Sequence, residues 1–160
     1  MAAPEMTAVI RVILGRDHPD VSYVTQACLL TLRDSLVSFR RESSLIQYAK
    51  QVAVRTALSS RRRSRSRNKQ IALTQRNPQG ASHQVVARAR RLAAFRGLLD
   101  ELPEPQAEAF ALRVVLDYTP SQVAEVTGAS VSTVRSHIRI AEEKLKQKIK
   151  NGPTPREIDR

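Results

Sequence analysis

Tryptophan is absent and aromatic residues make up only 4% of the 160-residue chain, so a core cannot rest on large rings. Small aliphatic side chains must fill it, and at 41% hydrophobic content they suit helix-on-helix packing. The single cysteine, Cys28, forbids an internal disulfide and fits a reducing compartment. It reads as a small buried apolar residue, with a reactive thiol as the alternative. No run of about 18 apolar residues occurs, so no segment is expected to span a membrane. The N-terminal MAAPEMTAVIRVILGRDHPD has neither the basic start nor the apolar stretch of a secretion signal, which points to the cytoplasm. The three histidines, His18, His83 and His137, are scattered and share no ligand-like spacing with Cys28 or a carboxylate. No glycine-rich phosphate loop is present. No catalytic residue, metal site or cofactor is therefore expected, and the chain does not read as an enzyme.

Acidic residues are missing altogether from 61–92, which hold 10 basic side chains. Residues 1–60 carry 7 basic and 5 acidic side chains, and 93–160 carry 10 of each. The excess of +12 thus lies almost wholly between two balanced segments. A strongly basic stretch of this kind suits a polyanionic partner. Within 66–82 helical periodicity disappears and Ser, Arg, Asn, Gln, Pro and Gly dominate, as in a flexible basic linker. A loop packed on one of the flanking domains is the alternative.

On either side, apolar spacing is helical throughout. Val24, Ala27, Cys28 and Leu32 mark one helix face, and Leu45, Tyr48, Ala49, Val52, Ala53, Thr56 and Ala57 mark another. The expected helices run over about 7–14, 20–36 and 44–62, with Ser43 or Ser44 as an N-cap. A further helix covers about 85–101 and stops before Pro103, and Pro105 opens the next within its first turn. The fold class is all-α: two small helical domains joined by a basic linker. The boundaries are 1–63, 64–84 and 85–150, with 151–160 as a frayed tail.

TPSQVAEVTGASVSTVRSHIRIAEEKL, residues 119–145, contains the most specific pattern. Thr119 can cap a helix, Pro120 suits its first position, and Gln122 can close a capping box. Gly128 permits the positive φ that ends this short helix, and Ser130 caps a last helix from about 131 to 149. Small Ala124 and apolar Val134 suit the crossing, with Val123, Val126 and Ile138 completing a shared core. Two capped helices meeting at a steep corner are a helix-turn-helix, which makes the C-terminal domain a four-helix unit. If Val131, Val134, Ile138, Ala141 and Leu145 face inward, then Ser132, Thr133, Arg135, Ser136 and Arg139 face outward. Those five occupy the N-terminal half of the helix, the part that enters a major groove. Arg135 and Arg139 can reach guanine edges or phosphates, and the hydroxyls can bond phosphate oxygens. His137 lies on the same helix as either a DNA contact or plain surface. The bland alternative for the whole face is solvation.

LLDELPEPQAEAFALRVVLDYTPSQVAEVTGASVSTVRSHIRIAEEKL resembles region 4, the promoter-binding C-terminal domain of bacterial sigma factors of the extracytoplasmic-function type. DHPDVSYVTQACLLTLRD and FRRESSLIQYAKQVAVRTALSSRRR resemble region 2 of the same family, in shortened form. The resemblance implies a factor that directs core RNA polymerase to promoters and initiates transcription. Ser132, Thr133, Arg135, Ser136 and Arg139 would read the −35 element. The loop 39–44, with Arg40 and Arg41, and the helix face around Lys50, Arg55, Arg61, Arg62 and Arg63 would meet the −10 element and its separated strands. Gln26 would sit on the polymerase clamp. The implied partners are the β′ clamp and β flap of core polymerase, promoter DNA and an anti-sigma protein.

The chain departs from that family's pattern at several positions. Ser22, Tyr23 and Ala27 stand where acidic residues are usual around Gln26. Tyr48 stands at a frequent tryptophan position. Arg55 and Ser59 replace an Asn and an Asp of the −10-reading helix. These departures motivate a second reading, a sequence-specific DNA-binding regulator of sigma-like fold that no longer engages polymerase productively. A third reading, RNA binding through SRRRSRSR, rests on the basic tract alone.

Overall fold

The computed structural model describes residues 2–38, 44–68 and 83–151. Every regular element among them is helical. In chain order they are α1 (Ala3–Leu14), α2 (Val21–Ser35) with a short 3-10 turn over Leu36–Ser38, α3 (Leu45–Asn68), α4 (His83–Glu101), α5 (Glu104–Leu116), α6 (Pro120–Thr127) and α7 (Val131–Lys150). The expected loop residues Phe39, Arg40, Arg41, Glu42 and Ser43 lie outside the described residues, as do 69–82 and the expected tail beyond Asn151.

Local chemistry sets most of the boundaries. Pro4 is compatible with the first turn of α1, where its missing N–H costs nothing. The helix therefore begins at Ala3, four residues earlier than expected. Gly15 ends it at φ 120, a conformation that strains any other residue. Ser44, one of the two expected caps, accepts from the Gln47 amide at 3.2 Å and opens α3. The helix then continues beyond the expected end near 62 to Asn68, so residues 64–68, assigned to the linker, are helical. So are His83 and Gln84, which begin α4. Asp117 closes α5 in the left-handed conformation at φ 54. Arg113 holds it there, bonding the Asp117 carboxylate at 2.9 Å and the Tyr118 carbonyl at 3.2 Å.

Helices α1, α2 and α3 pack on one another, and α4, α5 and α6 pack with α7. The two groups also touch, because α3 lies against α4 and α5 while α1 meets α4. Their buried residues merge into one apolar cluster running from Met6 and Ile10 through Cys28 and Val54 to Phe95, Phe110 and Val134. Phe95 and Phe110 are the aromatic pair within it, with ring centroids 5.7 Å apart. Burial raises the Cys28 thiol pKa above its ordinary value, although a hydrogen bond with Thr56 pulls the other way. The bland reading of Cys28, a fully buried apolar residue, is the one the structure shows.

Helix α3 is central. Ala49, Ala53, Ala57 and Ser60 form one buried stripe, and Val54 and Leu58 bury a second side. A helix that is apolar on one face only needs one neighbour, whereas α3 has four. That placement decides what its arginines can do.

Candidate nucleic-acid interface

The corner between α6 and α7 is built from local hydrogen bonds. Thr119 Oγ1 accepts from the Gln122 amide at 3.2 Å, and Gln122 Oε1 accepts from the Thr119 amide at 2.9 Å. This is the reciprocal capping box the spacing predicts. Gly128 then closes α6 at φ 74. A Cβ at that position would meet nothing within 4 Å. Glycine is thus required there by backbone conformation alone. Ser130 Oγ caps α7 by accepting from the Thr133 amide at 3.1 Å. Val123, Val134 and Ile138 are buried beneath the corner, and Ala124 with them at the crossing.

Helix α7 turns its two faces as the spacing predicts. Val134, Ile138 and Ala141 are buried, and Val131 and Leu145 pack half-buried against the core. Ser132, Thr133, Arg135, Ser136 and Arg139 are all exposed, while His137 is half-buried. The Thr133 hydroxyl lies 2.8 Å from Ser130 Oγ, so it shares in the cap. Arg139 lies 3.6 Å from Glu143 one turn on, a solvated pair with side chains 72% and 59% exposed. A pair that open contributes little and leaves the guanidinium available. At the far end of α7, Lys148 pairs with Glu101 of α4. Gly97 makes room for it, since a Cβ there would come within 3.1 Å of the Lys148 Cε. Lys144, Lys146 and Lys150 remain exposed.

The cations of α3 are placed differently. Arg55 Nε donates to Glu108 Oε1 at 2.6 Å and Arg55 Nη2 to the Val126 carbonyl at 2.8 Å. Arg61 donates through two nitrogens to the Asp100 carboxylate and also to the carbonyls of Ile13 and Arg96. Arg62 lies 2.7 Å from Glu104, and Lys50 lies 3.1 Å from Glu5 of α1. Of this expected group, Arg55 and Arg63 are exposed, Arg55 with its guanidinium engaged, while Lys50, Arg61 and Arg62 are half-buried. The reason is the central position of α3, whose outward stripe meets α4, α5 and the end of α6. Arg96 of α4 completes the junction by donating to the Val12 carbonyl at 2.8 Å and the Arg11 carbonyl at 3.2 Å. Burial, and secondarily nearby Arg61, lowers its pKa below the ordinary value.

Gln26 is exposed on α2. Beside it run residues the spacing analysis did not single out as a surface. Tyr23, Leu30 and Val37 recur every seven residues and are 63%, 53% and 95% exposed. Apolar side chains off the core stripe of an otherwise well-packed helix were the available signal. Among the described residues no group of three or more His, Cys, Asp or Glu is placed to hold a metal ion. No described helix is long and apolar enough to cross a membrane.

The family model for sigma-70, region 4 matches residues 92–145, from within α4 to the last buried turn of α7. These residues are thus similar to region 4 of sigma-70 factors. The capped corner and the exposed arginines of α7 lie within the matched residues, which stop ahead of Lys146, Lys148 and Lys150. No curated protein matches the sequence. Among solved structures, the co-crystal structure of the sigma factor RpoE in complex with the anti-sigma factor NepR, from Bartonella quintana, matches with a TM-score of 0.62. Sequence identity is 21%, and the match covers 95% of this chain and 94% of that one. The likeness in fold thus extends beyond region 4 to α1–α3. The chain is thus similar to sigma-70 region 4 in sequence over 92–145 and to the sigma factor RpoE in fold over nearly its whole length.

Proposed function

We propose that the chain is a sigma factor that brings core RNA polymerase to promoters in the cytoplasm. Region 4 reads the −35 element through Arg135 and Arg139, with Ser132, Thr133 and Ser136 on flanking phosphates. Helices α2 and α3 engage the polymerase and the −10 element. The observation that carries this reading is the exposure of all five polar residues on the N-terminal half of α7, at a corner fixed by two caps and Gly128. Gln26, exposed on α2 between exposed Tyr23 and Leu30, suits the clamp of core polymerase, because apolar side chains in water favour a protein partner. Region 4 is the part that would meet the β flap. The fold shared with RpoE, a protein solved with an anti-sigma factor, favours an anti-sigma partner here as well.

Arg40, Arg41, Lys50, Arg55, Arg61, Arg62 and Arg63 are the candidates for the −10 element and the separated strands. The pairing of Arg55, Arg61 and Arg62 with carboxylates favours a second reading, a DNA-binding regulator that keeps region 4 and no longer engages polymerase productively. Co-purification with core polymerase and run-off transcription separate the two. A sigma factor forms a stoichiometric complex and yields promoter-specific transcripts. A chain that binds duplex DNA but gives neither result is the regulator.

A further inference from the structure

Gln51, Arg55, Leu58 and Arg62 of α3 follow one another at intervals of three or four residues and so form one stripe. It lies on the side of the helix opposite Ala49, Ala53, Ala57 and Ser60, which are buried in the core. Each polar member of the stripe has a partner in region 4. Gln51 Nε2 donates to the Tyr118 hydroxyl at 3.0 Å, and Arg55 spans Glu108 and the Val126 carbonyl. Arg62 pairs with Glu104, and Leu58 between them is buried. Arg61, one position off the stripe, grips Asp100.

The geometry points to a clasp: carboxylates of region 4 occupy the guanidiniums of α3 and keep them from nucleic acid while the two helical units are together. One guanidinium cannot hold a carboxylate and a phosphate with the same nitrogens. Phosphate binding through those nitrogens of Arg55 and Arg62 therefore requires their release from Glu108 and Glu104, and the acidic residues compete intramolecularly with phosphate. The exposed face of α7 meets little of this competition, because the Arg139–Glu143 pair is long and solvated, so the closed chain presents one nucleic-acid surface and withholds the other. This inference rests on the sigma-factor reading for its biological sense and on the ion pairs for its physics.

The members of the clasp are unequal. Arg61 and Asp100 are 16% and 31% exposed and joined by two hydrogen bonds, the geometry of a strong pair. Arg61 also satisfies the Ile13 carbonyl at the end of α1. It is an anchor of the fold and unsuited to a clean test. Arg62 and Glu104 are 36% and 73% exposed, and Arg55 and Glu108 are 49% and 22% exposed. Salt screens and phosphate displaces such pairs readily. Releasable ends beside a fixed anchor allow the clasp to open without unfolding either unit.

The test uses the full chain carrying Glu104→Gln and Glu108→Gln, which leaves every candidate DNA contact intact. A charge-matched control carries Asp17→Asn and Glu142→Gln, at exposed carboxylates outside the clasp. Binding of a single-stranded oligothymidine is followed by fluorescence anisotropy across a salt series, and compactness by small-angle X-ray scattering. Relative to the control, the clasp variant should bind about 3- to 10-fold more tightly at low salt, the fold-change that corresponds to losing two partly exposed pairs. Its salt slope should steepen by about 0.7 for each guanidinium freed to meet a phosphate. Its radius of gyration should rise toward that of the wild-type chain at high salt. Equal affinities in variant and control overturn the proposal, as does a tighter-binding variant whose slope and compactness are unchanged. Failure of the sigma-factor reading would appear elsewhere, as absence of a complex between wild-type chain and core polymerase. In that event the oligonucleotide and scattering results still decide the clasp.

Discussion

Helices α3 and α7 both carry arginines in a chain of strongly positive charge, yet the two sets are in opposite situations. Arg135 and Arg139 of α7 stand in solvent over a buried stripe of Val134, Ile138 and Ala141. Arg55, Arg61 and Arg62 of α3 are bound to carboxylates of α4 and α5. The difference lies in the number of neighbours. Helix α7 buries one face and leaves the other unopposed, whereas α3 sits between two groups of helices and has contacts on opposite sides. A basic side chain on a helix is thus immediately available to nucleic acid only where the fold leaves its face open.

Four substitutions break or sharpen that contrast. The largest effect should come from Asp100→Ala, which leaves the largely buried Arg61 without its carboxylate. Loss of one partner from such a pair is expected to cost about 2–4 kcal/mol, toward the lower end of fully buried cases, read as a shift in urea midpoint. A change under about 0.5 kcal/mol would make this pair as dispensable as a surface one. Gly128→Val follows at about 2 kcal/mol, because any L side chain at φ 74 is strained and a β-branched one more so. A Cβ at this position meets nothing within 4 Å, so the strain lies in the backbone conformation. Thermal melting should show a loss confined to strain, and duplex binding should fall with it. Arg139→Ala should cost about 1–3 kcal/mol in promoter binding, concentrated at one base pair, with stability unchanged in the same preparation. A uniform loss over all sequences would identify a phosphate contact instead. Glu104→Ala should alter stability by less than about 0.5 kcal/mol, since its pair with Arg62 is largely solvated. A larger loss would mean that the releasable end of the clasp is an anchor too.

The helix-turn-helix was legible because its determinants are local. Thr119, Gln122, Gly128 and Ser130 act on backbone groups within four residues, so a linear reading finds both the residue and its task. The inward stripe of α7 has the period of the helix for the same reason. The carboxylate partners of the α3 cations were not legible because they are remote in the chain. Arg55 meets Glu108 across 53 positions and Arg61 meets Asp100 across 39. Periodicity marked Ala49, Val52, Ala53 and Ala57 as one buried face, but it could not announce the second side at Val54 and Leu58. Arg96 was missed likewise. Its guanidinium serves the backbone carbonyls of Arg11 and Val12 at the end of α1, and no spacing rule links a helix end to an arginine some eighty residues later. The row of Tyr23 and Leu30 on α2 and Val37 in the turn after it was visible in principle as apolar residues on the wrong side of an amphipathic pattern.

Selection of transcribed promoters from a randomised library, with core polymerase reconstituted around this chain, tests the role of the α7 face most directly. We expect transcripts to enrich one upstream motif with the wild-type chain, and the motif to lose definition at the positions read by Arg135 and Arg139 when both are alanine. Absence of promoter-specific transcripts, or an upstream motif that stays sharp in the double variant, would show that this exposed face does not read the promoter.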